Sequence, residues 1–252
     1  MTMRIDIATL FPEMIEAVLH KSIIGRAVED GKCEVYAHNI RNWANNKHNR
    51  VDDTPYGGGM GMVMQAEPIY QCYSAICEMA GSKPRCVYLS PQGRVINQSV
   101  VKEYAANYGH ILLICGHYEG VDQRVLDEIV DEEISLGDFV LTGGEIAAMA
   151  FADAILRLCD GVLADESCFT EESHWNGLLE HPQYTKPAVW HDREVPEVLL
   201  SGHHKNIEIY RRQQSIKNTY LKRPDMLEKA DLDKKDMEFL KTLEMEQGPE
   251  HC

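Results

Sequence analysis

The 252-residue sequence lacks the cysteine and hydrophobic patterns that mark several common classes of protein. Its eight cysteines contain no Cys-x-x-Cys pair, which argues against a zinc site or a dithiol redox motif. The N-terminal residues show no signal-peptide pattern, and no apolar run approaches the ~20 residues of a membrane span. We therefore expect reduced thiols, no membrane segment and a cytoplasmic protein.

The familiar motifs of nucleotide-binding and hydrolytic enzymes are also missing. Gly57 and Gly59 begin a Gly-x-Gly spacing, but Met62 stands where the dinucleotide fingerprint needs a glycine. There is no P-loop, no Gly-x-Ser-x-Gly elbow and no His-Glu-x-x-His zinc motif. These absences argue against the corresponding nucleotide-binding and hydrolytic classes.

Positive charge is scarce, because the formal net charge is -15 at pH 7. Residues 127–145 carry seven acidic side chains and no basic one. Residues 201–224 reverse this balance, with the basic side chains Lys205, Arg211, Arg212, Lys217, Lys222 and Arg223 against only Glu208. Such a segment indicates either an RNA-binding surface or a solvated helix face.

Short apolar runs alternate with helical patterns over the first 160 residues, which predicts an α/β fold with a largely parallel sheet. The predicted strands are Arg4 to Leu10, Cys33 to Asn39, Arg85 to Leu89 and Ile111 to Cys115. The predicted helices are Pro12 to Glu29, Glu67 to Ala80, Gln98 to Tyr108, Gly144 to Leu158, Ile207 to Tyr220 and Leu232 to Leu243.

The change of pattern after Gly161 predicts three segments along the chain. We expect a ligand-binding domain over residues 1–160, a linker over 161–175 and a small helical domain over 176–252. The segment from Arg41 to Met64 is polar, then glycine-rich, and a connection of that length in a compact domain is usually functional.

Four glycine-containing loops stand out in the first domain because each follows a predicted strand, and open α/β sheets bind ligands just outside the carboxyl ends of their strands. They are Tyr56 to Met62, Ser90 to Arg94, Gly116 to Asp122 and Ser135 to Glu145. Any one of them alone is typical of a tight turn. Four together predict a shared pocket, because glycine lets the backbone approach a ligand closely.

Several motifs in these loops occur in the same order in one known family. They are Leu10-Phe11-Pro12-Glu13-Met14, Val51-Asp52-Asp53-x-Pro55-Tyr56-Gly57-Gly58-Gly59-x-Gly61-Met62, Tyr88-Leu89-Ser90-Pro91-Gln92-Gly93-Arg94, Gly116-x-Tyr118-Glu119-Gly120-x-Asp122-x-Arg124-Val125, Asp131-Glu132-Glu133-x-Ser135-x-Gly137-Asp138-x-Val140-Leu141-x-Gly143-Gly144-Glu145 and Pro196-x-Val198-Leu199-Leu200-Ser201-Gly202. The sequence resembles the bacterial tRNA (guanine-N1)-methyltransferases, and the matching motifs follow the same order from about residue 4 to residue 225.

This resemblance implies a fold of the SPOUT class, a mostly parallel sheet with a deep trefoil knot followed by a small helical C-terminal domain. It also implies S-adenosylmethionine as cofactor. The cofactor-binding residues carried over from the family motifs are Tyr88, Leu89, Ser90, Pro91, Gly93, Gly116, Tyr118, Glu119, Gly120, Leu136, Gly137, Asp138, Phe139, Val140, Leu141, Gly143 and Gly144. One departure is His117, where the family often has arginine.

The implied reaction is methylation of N1 of guanine 37, next to the anticodon in tRNA. Guanine N1 carries a proton, so a general base is required, and a positive charge near O6 would stabilise the anion. Arg157 matches the family arginine. The family's aspartate base aligns with Glu172, a departure that adds one methylene, and Glu171 is the rival candidate.

The resemblance further implies that the tRNA anticodon stem-loop is bound by a homodimer whose active site is shared between subunits. The RNA-contacting candidates are Asp52, Gly61, Arg211, Arg212, Lys217 and Arg223. Glu119 matches a position linked to magnesium dependence. Two alternatives stay open at this point: a relative that methylates another RNA position, and an inactive RNA-binding homologue.

Overall fold

The computed structural model describes residues 2–165 and 167–247. The chain divides into two compact units, Met1–Asp165 and Glu166–Cys252. This division falls inside the segment predicted as a linker. Each unit is described below by itself.

The first unit is built on a five-stranded sheet in the order β2-β1-β6-β5-β7, in which every neighbouring pair is parallel. A separate antiparallel pair, β3 and β4, lies in the connection that was expected to be functional. The strands are β1 (Met3–Thr9), β2 (Cys33–Asn39), β3 (Asp52–Asp53), β4 (Val63–Met64), β5 (Arg85–Val95), β6 (His110–Cys115) and β7 (Glu132–Ser135).

In the described part of this unit, five α-helices and one 3₁₀ turn lie between the strands, and a sixth α-helix follows β7. The helices are α1 (Pro12–Leu19), α2 (Ser22–Glu29), α3 (Ala66–Ala80), α4 (Gln98–Asn107), α5 (Gln123–Ile129) and α6 (Glu145–Leu156), and the 3₁₀ turn is Ile40–Trp43. Successive strand residues point to opposite faces, so Ile5 and Ile7 pack against one core and Ala8 against another. Helices therefore cover both faces, as a parallel sheet requires.

The prediction of a single helix from Pro12 to Glu29 is wrong, because the first helix ends at Leu19 and a second one begins at Ser22. Ser22 has a φ of 55°, and a Cβ at Gly25 would clash with the His20 carbonyl group. The apolar spacing continues across the break, which is why periodicity alone predicted one helix.

Strand β7 was not predicted, since its sequence is dominated by acidic residues. Glu132 is satisfied there by neighbours, accepting hydrogen bonds from Tyr104 Oη at 2.6 Å and from Arg85 Nη2 at 3.1 Å. Arg94 Nε adds an ion pair at 2.9 Å. These contacts offset the free-energy cost of removing the Glu132 carboxylate from water at the edge of the sheet.

A buried carboxylate also lies within the sheet itself. Asp6 is fully buried and accepts hydrogen bonds from His38 Nε2 at 2.6 Å, His110 Nε2 at 2.7 Å and Arg4 Nε at 2.7 Å. Burial alone would raise the pKa of Asp6, but these hydrogen bonds outweigh it and hold that pKa well below its usual value. Asp6 thus links three neighbouring strands.

The second unit is mainly helical around a small core. Its elements are α7 (Ser167–Thr170), β8 (Val189–Trp190), β9 (Arg193–Glu194), α8 (Glu197–Leu200), α9 (His204–Lys222), a 3₁₀ helix (Pro224–Lys229) and α10 (Lys234–Gln247). Leu178, Ile216 and Leu243 form the buried centre. The β8–β9 hairpin was not predicted, because its strands are only two residues long. No helix among the described residues could cross a bilayer.

Candidate active site

The predicted loops after β6 and β7 meet the segment Ser90 to Arg94 and enclose a cavity of ≈ 350 Å³. That segment was predicted as a loop after a strand ending at Leu89, but it is an irregularity within β5, which continues to Val95. Its walls are formed by Tyr88, Leu89, Ser90, Pro91, Gln92, Gly116, His117, Tyr118, Glu119, Gly120, Val121, Gln123, Leu126, Glu133, Ile134, Ser135, Leu136, Phe139, Val140, Leu141, Thr142, Gly143, Gly144 and Ala147. The structure thus brings three of the four glycine loops together around one pocket.

Most of the residues predicted to bind a cofactor line this pocket. The exceptions are Gly93, Gly137 and Asp138, which are not among the wall residues. Some wall residues were missed, including Glu133 and Gln123. Glu133 stands in one of the family motifs but belongs to the unpredicted strand β7, so it was not counted as a cofactor residue. Gln123 occupies an unspecified motif position in the unpredicted helix α5.

Gly93 and Gly137 shape the loops from outside the cavity. A Cβ at Gly93 would clash with the backbone of Glu133, so this glycine allows β5 and β7 to lie close together after the irregularity in their pairing. Gly137 closes a turn in which its N–H donates to Ser135 Oγ at 3.2 Å and Ser135 Oγ donates to its carbonyl at 3.0 Å.

The glycine-rich loop before β4 is tied to the loop after β6. Glu119 N donates to the Met62 carbonyl at 3.0 Å, and Met64 N donates to the Gly120 carbonyl at 2.9 Å. Gly61 has a φ of +92°, and a Cβ there would lie 2.5 Å from Glu119 Oε1. Only glycine suits this position. Asp52 pairs with Met64, which in turn is bonded to the loop after β6, so Asp52 lies near that loop.

The described walls of the pocket carry negative charge without lysine or arginine to balance it. Among the described residues that form its walls are the carboxylates Glu119 and Glu133 and neither lysine nor arginine. Burial raises the pKa of the Tyr88 hydroxyl, and the charge of Glu133 adds to this effect. Phosphate groups need cationic partners, so the pocket suits a neutral or positively charged ligand.

Arg157 lies away from this pocket within the first unit. It caps the C-terminal end of α6, whereas Gly144 and Ala147, at the other end, line the cavity. A helix of 12 residues is ~18 Å long, so the Arg157 backbone is about one helix length from the pocket wall.

Glu172 belongs to the second unit. It lies in a folded segment, within the range that was predicted to be a linker. Trp175 N donates to the Glu172 carbonyl at 3.3 Å, and Glu180 N donates to Ser173 Oγ at 2.9 Å. The segment is fastened to α9, since Leu179 N donates to Thr219 Oγ1 at 2.8 Å. Glu172 is half-buried there, whereas Glu171 is exposed.

The predicted RNA-contacting cations of the second unit fall into two groups. Arg211 and Lys217 are exposed on α9. Arg212 instead donates to Asp236 Oδ2 at 2.8 Å and to the Asp231 carbonyl at 2.7 Å. Arg223 forms a 2.7 Å ion pair with the neighbouring Asp225.

A parallel α/β sheet whose glycine loops enclose a carboxylate-bearing pocket at its carboxyl edge is typical of α/β proteins that bind a small ligand there. Comparison with known proteins makes this more specific. The profile of the family described as tRNA (guanine-1)-methyltransferase TrmD matches residues 3–229. The chain belongs to this family, which confirms the resemblance found from the motifs.

Individual relatives agree with this assignment. The tRNA (guanine-N(1)-)-methyltransferase of Ruminiclostridium cellulolyticum is 53% identical over 227 residues, covering 90% of this chain and 97% of the relative. That of Dehalococcoides mccartyi is 47% identical over 247 residues, covering 98% and 99%. The crystal structure of tRNA (m1G37) methyltransferase from Aquifex aeolicus superposes with a TM-score of 0.73 at 42% identity, covering 91% of this chain and 96% of that one. This likeness confirms the predicted fold class, while the knot stays a prediction.

Proposed function

We propose that this protein transfers the methyl group of S-adenosylmethionine to N1 of guanine 37 in tRNA, acting in the cytoplasm. The observation that carries the proposal is the pocket, whose walls combine glycine loops and carboxylates without lysine or arginine. Among nucleoside cofactors, S-adenosylmethionine is the one with a positively charged sulfur and no phosphate. Family membership supplies the reaction class and the RNA substrate.

The wall residues fit this cofactor group by group. Leu89, Ile134 and Leu136 offer apolar surface for an adenine ring, and the backbone around Gly116 and Gly144 offers polar atoms for its edges. When bound, the cofactor supplies an activated methyl group. The protein therefore has to orient two reactants and remove one proton.

Proton removal is assigned to Glu172. Deprotonation of guanine N1 needs a carboxylate held at hydrogen-bond distance, and Glu172 sits in a folded, half-buried segment whereas Glu171 is exposed. The positive charge of Arg157 would stabilise the oxygen anion that forms at O6. Gln in place of Glu172 would keep the shape and lose the base.

The pocket and Arg157 are separated by a helix length within one chain. We therefore propose that the active site is completed between two copies in a homodimer, with the pocket from one subunit and Arg157 and Glu172 from the other. An isologous dimer with two-fold symmetry would contain two such sites.

The RNA-binding surface proposed for the second unit is the exposed side of α9. Within the part of the chain that the structure describes, neither Arg211 nor Lys217 forms an ion pair, which makes both suited to phosphate contacts with the anticodon stem-loop. Arg212 and Arg223 already have acidic partners, so we expect them to contribute less. Asp52 and Gly61, beside the pocket, would face the target base.

Magnesium is proposed only at Glu119. The part of the chain that the structure describes contains no group of three or more histidine, cysteine or acidic side chains arranged to hold a metal. Mg²⁺ is often bound by one or two carboxylates together with waters and substrate, so Glu119 could hold it only with ligands from the bound substrates.

The experiment is methylation of unmodified tRNA transcripts by the wild-type protein and by Glu172→Gln, with labelled cofactor and mass spectrometry of the product nucleosides. N1-methylguanine at position 37 and a loss of roughly 100-fold or more in kcat for Glu172→Gln are expected. Glu171→Gln is the matched control and should keep its activity. A transcript with adenine at position 37 should not be methylated.

Other outcomes would contradict the proposal. A different methylated nucleoside would point to a relative acting elsewhere on RNA, and cofactor binding without product would point to an inactive RNA-binding homologue. Full activity of Glu172→Gln would remove Glu172 from the reaction.

A further inference from the structure

A buried polar pair lies beneath the pocket, where Thr9 at the end of β1 meets the first turn of α6. Thr9 Oγ1 donates a 2.8 Å hydrogen bond to Glu145 Oε1, and Phe11 N donates to the same hydroxyl oxygen at 2.9 Å. Thr9 is fully buried and Glu145 is 4% exposed. One carboxylate oxygen of Glu145 is therefore fixed inside the protein.

The second oxygen of this carboxylate meets a histidine across a glycine. A Cβ at Gly143 would clash with Glu145 Oε2 and would lie 2.7 Å from His117 Nδ1. His117 and Gly143 are paired through their backbones in an antiparallel bridge. Both atoms border the space that a Gly143 side chain would fill, but no hydrogen bond or ion pair joins Glu145 to His117 in this conformation.

The imidazole of His117 is oriented by its neighbours. Its ring makes edge contacts with Phe11 at 5.3 Å and with Tyr118 at 4.8 Å. Nδ1 is buried and has no hydrogen-bond partner, although a buried polar nitrogen needs one. His117 is half-buried and lines the pocket, so its ring is within reach of a ligand there.

We propose that a small side-chain movement into the space at Gly143 joins Glu145 and His117 in a carboxylate–imidazole pair, in which Oε2 accepts the Nδ1 proton and Nε2 becomes a hydrogen-bond acceptor for the bound cofactor. A carboxylate bonded to one ring nitrogen fixes the tautomer and leaves the other nitrogen with its lone pair. The inference rests on the proposed function, since the ligand is S-adenosylmethionine.

The group of the cofactor that fits this acceptor is a hydrogen-bond donor. It is either the ammonium group of the cofactor's methionine part or a hydroxyl of its ribose. A protonated histidine donates from both nitrogens and accepts from neither. Acidification should thus weaken cofactor binding. The ionisable groups placed against the ring are Glu145 from α6 and Tyr118 from its own loop, whose hydroxyl accepts a 3.5 Å hydrogen bond from Arg41, whereas Phe11 and Gly143 carry no charge.

The test measures the dissociation constant of S-adenosylhomocysteine by calorimetry between pH 5.5 and 8.5. The wild-type affinity should fall roughly tenfold on acidification, the size of one lost hydrogen bond. His117→Gln keeps an acceptor without a titrating ring, so its affinity should not change with pH. His117→Phe should bind weakly at every pH. His20→Gln, which removes a histidine elsewhere in the same unit, is the matched control and should keep the wild-type profile.

Nitrogen-15 NMR of the His117 ring tests the pair directly in the free protein. The Nδ1-protonated tautomer is expected in the wild type, and Glu145→Gln should reverse it, since an amide can donate to Nδ1. The Nε2-protonated tautomer in the wild type would overturn the inference, as would a wild-type affinity that is the same across the pH range.

The same titration with 5′-methylthioadenosine, which keeps the ribose and lacks the ammonium group, separates the two donors. A pH dependence that persists assigns Nε2 to a ribose hydroxyl, and one that disappears assigns it to the ammonium group. A protein that binds neither compound at any pH would overturn the proposed function together with this inference, whereas binding without pH dependence overturns the inference alone.

Discussion

Arg212 is held by Asp236, with its Nη2 atom 2.8 Å from Oδ2 and its Nε atom 3.1 Å from the same oxygen. Asp236 is buried, whereas the neighbouring Arg211 is exposed on the same helix. Two adjacent arginines of α9 therefore have different roles: one fastens α9 to α10, and the other is available to a ligand.

This difference gives a first prediction. Arg212→Ala should lower the free energy of unfolding by about 1–2 kcal/mol, since it leaves a buried carboxylate without its charged partner at a site that is partly open to solvent. Arg211→Ala should leave stability unchanged and weaken tRNA binding, reducing the slope of log affinity against log salt by about one. Thermal melts and filter binding at several salt concentrations measure the two effects. Equal effects of both substitutions on binding would contradict the assignment.

A second prediction concerns Asp6. Asp6→Asn should destabilise the first unit by on the order of 3–5 kcal/mol, because it breaks a buried charge network. Since the pKa of Asp6 is lowered in the folded state, its contribution is present above about pH 4 and is lost as the pH falls further. The gap between wild type and variant should therefore narrow under acid conditions.

Trp43 reports on this part of the molecule, since its ring lies 6.2 Å from that of His38. Urea unfolding followed by Trp43 fluorescence, in a chain with Trp175 and Trp190 changed to phenylalanine, measures the effect. Asp30→Asn alters an exposed carboxylate of the same unit and should change stability little. A gap that widens in acid would show that Asp6 is not the group responsible.

A third prediction tests whether two subunits share the active site. Glu172→Gln should inactivate the base, and Leu141→Trp should fill the pocket of its own chain. Each variant alone is expected to be inactive. Equal mixing after subunit exchange should restore roughly one quarter of the wild-type sites, because half of the dimers are mixed and each mixed dimer has one intact site. No recovery in dimers shown to be mixed would place the whole site within one chain.

A fourth prediction concerns the attachment of the Glu172 segment. Thr219→Val removes the acceptor of the Leu179 N–H, leaving a partly buried donor unpaired at a cost of about 1–3 kcal/mol. Turnover should fall, because the carboxylate is less well placed, while binding of S-adenosylhomocysteine stays unchanged. Thr242→Val is the matched control, since Thr242 also donates to a backbone carbonyl on a helix but is exposed. Unchanged turnover in Thr219→Val would show that this bond does not position Glu172.

Much of the first unit could be predicted because its signals are local. Each of the apolar runs of β1, β2 and β6, and each of the glycine loops, is a short stretch of neighbouring residues. The sequence also contains a signal that Arg212 faces the interior of the second unit. It lies four and seven residues before the buried Ile216 and Thr219, which is the spacing of a shared helix face.

Other features depend on contacts between distant parts of the chain. Asp6 meets histidines 32 and 104 residues away, and Glu132 is stabilised by side chains from β5 and α4. The packing role of Gly93 depends on the backbone of β7. No periodicity in a single sequence encodes these pairings, so they were found only in the fold.

The hydrogen bonds that fasten the Glu172 segment to α9 connect the proposed base to the proposed RNA-binding helix. The helix that carries Arg211 and the segment that carries the proposed base are thereby held to each other within the second unit. An RNA that seats poorly on the helix would also misplace the carboxylate, and a displacement of about one ångström is enough to slow a reaction severely. Discrimination among RNAs would then be expressed in the rate of methylation as well as in affinity.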